Sequence, residues 1–260
     1  MDNIHKICHM ITPGIDSICT YFYILENVFR PGMDLELIHI GLSPLYHEIE
    51  AARLKEIEYK YLKHRVRYLD AKSIRMIIQE DADAFIPSRN LILATMVDCT
   101  AIPDRRYATM ISFGFNSDDR VYDSSDVYCK TVSSILSPNV YMGSFVRHLT
   151  KSELLRWFMI ESSLLSYVEK TGLINNTYSC YSGNEDECLK CNACFRKNVA
   201  LSMMGIVRPF NDLNFLEKRM GILNDDSVSV DRKRNIISYI SDLVSHYDSY
   251  SEFSKYIKEI

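Results

Sequence analysis

The chain has 260 residues, of which 47% are hydrophobic and 25% are charged, with a net charge of −4. These values are typical of a globular protein of one large domain, or one domain with an appended subdomain, and they exclude general disorder. They also exclude an overall positive field that would hold nucleic acid. No apolar run reaches the roughly 18 to 20 residues of a membrane helix, and the first residues lack the pattern of a signal peptide. We therefore expect a cytoplasmic protein that binds neither membranes nor nucleic acid directly.

Strand-like and helix-like segments alternate through the first two thirds of the chain. Apolar or alternating patterns predict strands over residues 6–11, 34–41, 65–69 and 107–115. Helical spacing predicts helices over residues 18–29, 47–62, 128–135 and 152–168, and another that begins near residue 90. Because parallel strands are joined by crossover helices, this alternation predicts an α/β fold: an open parallel sheet with flanking crossover helices.

The loop of residues 12–17 follows the first predicted strand and leads into a helix. Ligands of open parallel sheets bind beyond the carboxyl ends of the strands, and a helix N-terminus favours anions. Gly14 would allow phosphate to approach closely, Ser17 offers a hydroxyl, and Asp16 suits a magnesium ion. An ordinary turn with an Asp or Ser helix cap would have the same residues, so the loop alone leaves both interpretations open.

Four of the eight cysteines form a C-x7-C-x2-C-x2-C pattern: Cys180, Cys188, Cys191 and Cys194. Disulfides are unfavourable in a reducing compartment, and four thiolates at this spacing suit a tetrahedral zinc ion. Four protein ligands leave no open position, so we predict a structural zinc knuckle. An iron–sulfur cluster and four metal-free thiols remain as alternatives. The other cysteines have apolar neighbours and are predicted to be buried: Cys8, Cys19, Cys99 and Cys129.

The last third of the chain is predicted to be mostly helical, over residues 196–204, 213–223 and 232–260. We therefore divide the chain into an α/β domain (1–175), a zinc knuckle (176–205) and a helical C-terminal extension (206–260). The extension is rich in tyrosine and has no motif that assigns it a function. A partner surface or a homodimer contact is the use we expect for it.

In this context the loop of residues 12–17 resembles the S-G-G-x-D-S pyrophosphate loop of the PP-loop ATP pyrophosphatases. Other segments follow in the order typical of one branch, the 7-cyano-7-deazaguanine synthases. They are residues 47–52 (E-x-x-A-A), 86–91 (V-P-G-R-N-L), 116–123 (an acidic stretch to Y-P-D), 149–154 (a threonine/lysine helix start) and 179–194 (S-C-Y-x-G with the cysteine knuckle). The resemblance covers roughly residues 5–200 and implies a PP-loop ATP pyrophosphatase-like fold.

The resemblance also implies a reaction. Such synthases convert 7-carboxy-7-deazaguanine, with ATP, Mg²⁺ and ammonia, to 7-amido- and 7-cyano-7-deazaguanine in deazapurine biosynthesis, which supplies queuosine-type or other nucleic-acid modification. A carboxylate is a poor electrophile, and transfer of AMP to it creates an acyl adenylate that ammonia can attack. A second adenylation, on the amide oxygen, then allows the nitrile to form. The protein must hold pyrophosphate, stabilise charge and exclude water.

Roles for individual residues follow from the same resemblance. The ATP-binding residues would be Thr12, Gly14, Asp16, Ser17, Arg89 and Asn90, and the catalytic residues would be Asp16 and Lys151. Lys151 would neutralise charge on the α-phosphate or the carboxylate. Three acidic residues would receive the donor edge of the purine or magnesium: Asp118, Asp119 and Asp123. Each set has a structural alternative: a solvated helix start for Lys151, a loop bridge for Arg89, and a charged turn for the acidic residues.

The chain departs from the family pattern in the loop itself. Thr12 replaces the serine, Pro13 replaces the first glycine, and Ser88 replaces another glycine further along. Proline has no N–H group, so Pro13 cannot donate to a phosphate. Two alternatives to the synthase therefore stay open. One is an inactive member that serves as a binding or assembly subunit, and the other is a relative that acylates a different amine, such as a protein.

Overall fold

The structure is a computed structural model that describes residues 4–78, 86, 88–102, 106–119, 122–225 and 228–257. The chain forms two compact units, Met1–Tyr178 and Ser179–Ile260. Several predicted features lie outside the described residues: Pro87 of the 86–91 segment, residues 120 and 121 of the acidic stretch, and residues 226, 227 and 258–260 of the C-terminal extension. None of the described helices is long and apolar enough to cross a lipid bilayer.

The first unit contains a five-stranded parallel sheet with the strand order β3-β2-β1-β4-β5. The prediction of an open parallel sheet with crossover helices is confirmed. In chain order the elements are β1 (Ile4–Met10), α1 (Ile15–Tyr23), β2 (Asp34–His39), α2 (His47–Tyr61), β3 (Val66–Tyr68), α3 (Lys72–Arg75), α4 (Arg89–Ala101), β4 (Ala108–Ser112), α5 (Asp126–Ile135), β5 (Val140–Gly143), α6 (Lys151–Arg156) and α7 (Tyr167–Asn176).

Burial of apolar side chains fixes helices on the sheet. Leu93 and Val97 of α4 are buried in one cluster with Ile38 and Ile111 of the strands. The ring of Phe22 in α1 packs on that of Phe158, with ring centroids 5.1 Å apart. Burial of each such side chain stabilises the fold by about 1.5–3 kcal/mol. These contacts pack α4 against β2 and β4, and α1 against the segment that follows α6.

The prediction of one helix over residues 152–168 is wrong in its extent, because the structure has two helices there. α6 continues as a π-helical turn, Trp157–Glu161, and then stops. Ser166 begins α7 with a capping box, in which its hydroxyl and the side chain of Glu169 each bond the other's backbone N–H. The Nζ of Lys170 also donates to the carbonyl of Met159, 3.2 Å away, at the end of the first helix. Local polar contacts therefore break an otherwise continuous pattern.

The second unit is helical after the cysteine segment. Its helices are α8 (Asn192–Ser202), α9 (Leu213–Met220), α10 (Val230–His246) and α11 (Ser254–Ile257). Two tyrosines of the tyrosine-rich extension lie in the core of this unit: Tyr239 is 0% and Tyr250 4% exposed. The Tyr250 hydroxyl accepts from the N–H of Phe210 and donates to its carbonyl, at 2.8 and 2.9 Å. The expectation for the scattered cysteines fails at Cys99, which is exposed on α4.

Candidate active site and metal centre

The first candidate site lies where the strand order of the sheet reverses. The chain runs from β1 outward to β2 and β3, and then returns to add β4 and β5 on the other side of β1. The carboxyl ends of β1 and β4 are therefore neighbours, and such a switch point is where open parallel sheets bind ligands. The loop after β1 carries Asp16, and the segment after β4 carries Asn116.

A carboxylate, an ammonium and an amide meet at this switch point. The Nζ of Lys151 lies 2.6 Å from Oδ2 of Asp16, and their side chains are 9% and 26% exposed. The Nδ2 of Asn116 donates to the other oxygen of Asp16, Oδ1, at 3.1 Å. Lys151 is the first residue of α6, which Thr150 and Glu153 cap reciprocally. Both oxygens of the Asp16 carboxylate are thus fixed by groups from distant parts of the chain.

Two of the predicted acidic residues organise the turn that presents Asn116. Asp119 Oδ2 accepts from the N–H of Asn116, and Asp118 Oδ2 accepts from the N–H of Lys151, both at 3.0 Å. The Oδ1 of Asn116 in turn accepts from the N–H of Asp118 at 3.0 Å. The structure therefore brings Asp118 and Asp119 together with Asp16 and Lys151, with carboxylates directed at backbone N–H groups.

The loop of residues 12–17 is closed by its own hydroxyls. The Ser17 hydroxyl donates to the carbonyl of Met10 at 3.1 Å and accepts from the N–H of Thr12 at 2.9 Å. The Thr12 hydroxyl accepts from the N–H of Gly14 at 3.3 Å. Gly14 has φ −69°, so the loop needs no left-handed residue there. Pro13 is accommodated, and its carbonyl accepts from the N–H of Tyr178 at 2.9 Å.

The buried His9 ties this loop to two strands. Its Nε2 lies 3.0 Å from the carbonyl of Ser17 and must donate to it, because a carbonyl only accepts. Burial lowers the pKa of His9 to about 4, so the ring is neutral near pH 7. Nδ1 is then the acceptor for the hydroxyl of Ser112 on β4, 3.4 Å away. Two hydrogen bonds through His9 thus connect Ser112 on β4 to Ser17 in the first turn of α1.

Gly114 lets the segment after β4 pass close to the loop. A Cβ atom built on Gly114 would lie 3.1 Å from both the nitrogen and the Cα of Ser17, and 3.2 Å from the carbonyl carbon of Asp16. These neighbours are backbone atoms and cannot swing aside as a flexible side chain would. A residue without a side chain is therefore required for the two segments to keep this spacing.

A second group of predicted residues gathers at the start of α4. The Nδ2 of Asn90 donates to the carbonyl of Asp123 at 3.2 Å. Burial raises the pKa of the Asp123 carboxyl, and the positive charge of Arg89 opposes that rise. Asp119 acts on the same carboxyl electrostatically, so this group adjoins the Asp16 cluster. Ser88 has φ 54°, a left-handed conformation that glycine adopts more readily, so its substitution for glycine brings local strain.

Two residues that shape the site were not predicted from the sequence to take part. Asn116 is the polar residue that fixes Asp16, and it is 0% exposed. Its position in the first polar stretch after a buried strand was the available signal, because such stretches lie at the ligand-binding edge of a parallel sheet. His9 lies inside an apolar strand, and nothing in the sequence separates it from an ordinary buried histidine.

The second candidate site is the four-cysteine centre of the second unit. The sulfur atoms of Cys180, Cys188, Cys191 and Cys194 all lie within 4.8 Å of one another. Tetrahedral coordination with Zn–S bonds of about 2.3 Å puts sulfur atoms about 3.8 Å apart, and Cys188 and Cys194 are 4.0 Å apart. Mutual hydrogen bonds lower the pKa of the Cys180 thiol and raise those of Cys191 and Cys194, because the sulfur atoms share one small site. The four side chains therefore fit a metal ion of this geometry.

Comparison with known proteins identifies a family and two relatives that this chain resembles. A sequence model of the family described as "Queuosine biosynthesis protein QueC" matches residues 44–205. Similar proteins include the 7-cyano-7-deazaguanine synthase of Methanosarcina mazei, 24% identical over 214 residues that cover 80% of each chain. The 7-cyano-7-deazaguanine synthase 2 of Sulfurisphaera tokodaii is 23% identical over 234 residues, which cover 79% of this chain and 47% of that protein.

The fold and the two sites together indicate the class of protein. An open parallel sheet with a charged loop at its switch point, in a chain with a four-cysteine centre, is a PP-loop-like α/β protein. The chain belongs to the QueC family, since the family model matches well over half of it. The resemblance to 7-cyano-7-deazaguanine synthases is thereby confirmed at the level of the family. The family description refers to queuosine biosynthesis, and the two similar proteins are named as synthases.

Proposed function

We propose that this protein is an active, ATP-dependent synthase that converts 7-carboxy-7-deazaguanine and ammonia, through an acyl adenylate, to 7-amido- or 7-cyano-7-deazaguanine. The observation that carries the proposal is the cluster of Asp16, Asn116 and Lys151 at the switch point of the sheet. Asp16 and Lys151 are 26% and 9% exposed, so their charges act where water screens them little. A charged pair at the ligand-binding edge of the sheet suits an enzyme better than a degenerate subunit.

The N-terminus of α1 supports binding of the phosphates. The first N–H groups of any helix lack intrahelical acceptors, and the helix dipole favours anions there. No side-chain hydrogen bond caps α1, which begins at Ile15. Pro13 removes one loop donor, but the hydroxyls of Thr12 and Ser17 already hold the loop, and Gly14 needs no positive φ. In this proposal the phosphates bind at the first turn of α1, and Thr12, Gly14 and Ser17 position that turn.

We assign to Asp16 and Lys151 the task of balancing charge on the phosphates and on the substrate carboxylate. In the resting state the ammonium of Lys151 is paired with Asp16. Asp16 is the carboxylate suited to hold Mg²⁺, which would neutralise part of the phosphate charge of bound ATP. Lys151 then turns toward the α-phosphate or the substrate carboxylate, where negative charge accumulates during AMP transfer. Asn116 keeps Asp16 oriented throughout.

The group at the start of α4 is the proposed recognition site for the nucleotide or the deazapurine. Arg89 supplies a fork of donors, and Asn90 is held by Asp123. Asp123 is proposed to accept from the donor edge of the purine. We assign Asp118 and Asp119 first to the turn that holds Asn116 and Lys151, since their carboxylates bond backbone N–H groups there. Through that turn they act on substrate or magnesium binding.

We also propose that the four cysteines bind a structural zinc ion. All four sulfur atoms serve as ligands, so no coordination position is left for a substrate. Zinc suits the set because it tolerates four thiolates without a redox change. An iron–sulfur cluster would give the purified protein visible absorption and an iron content, and metal analysis separates the two.

Product analysis by mass spectrometry tests the proposed reaction. Wild-type protein is incubated with 7-carboxy-7-deazaguanine, magnesium-ATP and ammonium, and we expect the amide or nitrile together with AMP. Asp16→Ala should abolish both products. The matched control is Asp34→Ala, which removes an aspartate that is 69% exposed at the amino end of β2 and should keep full activity.

Other outcomes would replace the proposal. Folded, metal-loaded wild-type protein that forms neither AMP nor product would favour the degenerate subunit. AMP formed only when another amine, such as a peptide N-terminus, is supplied would identify a relative that acylates that amine. The ratio of nitrile to amide shows how many adenylation cycles the protein completes.

Substitution of Gly114 tests the spacing between the two loops. We expect Gly114→Ala to lower the rate of product formation about tenfold, because the added Cβ displaces the backbone at Asp16 and Ser17 by a few tenths of an ångström. The free energy of unfolding should fall by only about 1 kcal/mol. Gly221→Ala makes the same chemical change where the added Cβ meets no atom of another part of the described chain within 4 Å and φ is −56°, and it should leave the rate unchanged. Equal rates for the two variants would contradict the prediction.

A further inference from the structure

A buried ion cluster lies in the same unit as the four cysteines. The Glu187 carboxylate, 7% exposed, accepts from the Nζ of Lys197 at 3.0 and 3.1 Å and from Nη1 of Arg208 at 2.8 Å. It also accepts from the backbone N–H of Ser179 at 2.8 Å. The Lys197 side chain is 2% exposed and that of Arg208 is 32% exposed. Two cations therefore meet one carboxylate, and these three side chains together carry one surplus positive charge.

The chain joins this cluster directly to the metal ligands. Ser179 and Glu187 immediately precede Cys180 and Cys188. Lys197 follows Cys194 by three residues on α8, which puts both side chains on one face of the helix. The sulfur of Cys194 and the ammonium of Lys197 interact electrostatically. Cys194 is 0% and Lys197 1% exposed, so this interaction is weakly screened.

The surplus positive charge beside the four cysteines is unfavourable unless a negative charge balances it. Lys197 and Glu187 are buried and balance each other, so the extra charge is that of Arg208, which is only partly exposed and is therefore partly desolvated. Four thiolates around a divalent ion carry a net charge of −2, which is also costly in a buried site. The two imbalances have opposite signs and offset each other when the ion is bound.

We propose that the surplus positive charge of the Lys197–Glu187–Arg208 cluster is the counter-charge of the tetrathiolate centre and raises its affinity for zinc. The inference depends on metal binding by the four cysteines and not on the synthase reaction. It differs from a purely structural role, in which Glu187 only ties the ends of the cysteine segment together. The two roles predict different orders of affinity in a series of charge variants.

The test measures zinc affinity by competition with a chromophoric chelator, in full-length wild-type protein and four variants. Lys197→Met lowers the cluster charge by one and should weaken zinc binding about tenfold or more. Lys197→Arg keeps the charge and should stay within about threefold of wild type. Glu187→Gln raises the cluster charge by one and should bind at least as tightly as wild type. The double variant Glu187→Gln/Lys197→Met restores the wild-type surplus and should recover to within about threefold.

Cobalt substitution gives a second readout, because the thiolate-to-cobalt absorption reports four-sulfur coordination independently of activity. If Lys197→Met binds zinc as tightly as wild type, or if the double variant is as weak as Lys197→Met, the charge role is excluded. Should Lys197→Met not fold, Glu187→Gln still decides, since a structural role of Glu187 predicts weaker zinc binding and the charge role predicts binding at least as tight as in the wild type. Wild-type protein that binds no zinc would instead overturn the metal proposal itself.

Discussion

Lys151→Met is expected to lower kcat/KM for product formation by at least about a hundredfold. The ammonium of Lys151 is the cation at the switch point that pairs with the loop carboxylate, 2.6 Å from Asp16, and its side chain is 9% exposed. Methionine keeps the length and apolar stem of the side chain but cannot neutralise charge that develops during AMP transfer. The measurement is steady-state formation of AMP and deazapurine product, with circular dichroism and thermal unfolding as checks of the fold.

A loss of stability must be separated from a loss of chemistry. Lys151→Met leaves the Asp16 carboxylate without its ion pair, which should cost about 1–3 kcal/mol of unfolding free energy. Asp16→Asn/Lys151→Met removes both charges and should regain most of that stability while staying inactive. Lys255→Met breaks an exposed ion pair, with a 57% exposed lysine, and should change neither quantity. Near-wild-type turnover in the double variant would show that the pair is structural.

Much of the fold could be predicted from local sequence patterns. The predicted helix 47–62 corresponds to α2 at His47–Tyr61, and the helix predicted to begin near residue 90 is α4. The four cysteines could also be assigned from sequence, because all of them lie in one short segment and their spacing determines their proximity. β5 was missed since its four residues, Val140–Gly143, are too few to show a period.

The site depends on contacts that spacing cannot reveal. Asn116 and Asp16 are 100 residues apart in sequence and meet only because β4 pairs with β1. Family motifs pointed to the loop residues, but the partner that fixes the Asp16 carboxylate came from the topology of the sheet. Tyr239 shows the same limit, because a tyrosine on a polar helix fits a partner surface and a packed core equally well until burial is known.

Cys194→Ser is expected to remove zinc from the protein and to unfold the cysteine segment. Cys194 is 0% exposed in the first turn of α8, and its sulfur is one of four that converge. Structural zinc contributes about 10–16 kcal/mol of apparent binding free energy in small zinc domains, so loss of one ligand removes a large share of the stability of such a unit. We expect the zinc content to fall at least about tenfold at a fixed free zinc concentration. Amide hydrogen exchange should accelerate in residues 179–202.

The matched control is Cys99→Ser, which makes the same substitution at an exposed cysteine outside the cluster. It should keep the wild-type zinc content and exchange pattern, and in both variants β1 and β4 should stay protected because their ladder lies in the other compact unit. Wild-type zinc content in Cys194→Ser would mean that three cysteines suffice or that the ion binds elsewhere. Zinc loss without faster exchange would mean that helix packing alone, around residues such as Phe210 and Tyr250, stabilises this unit. The expected pattern makes the metal a condition for the folding of the cysteine segment.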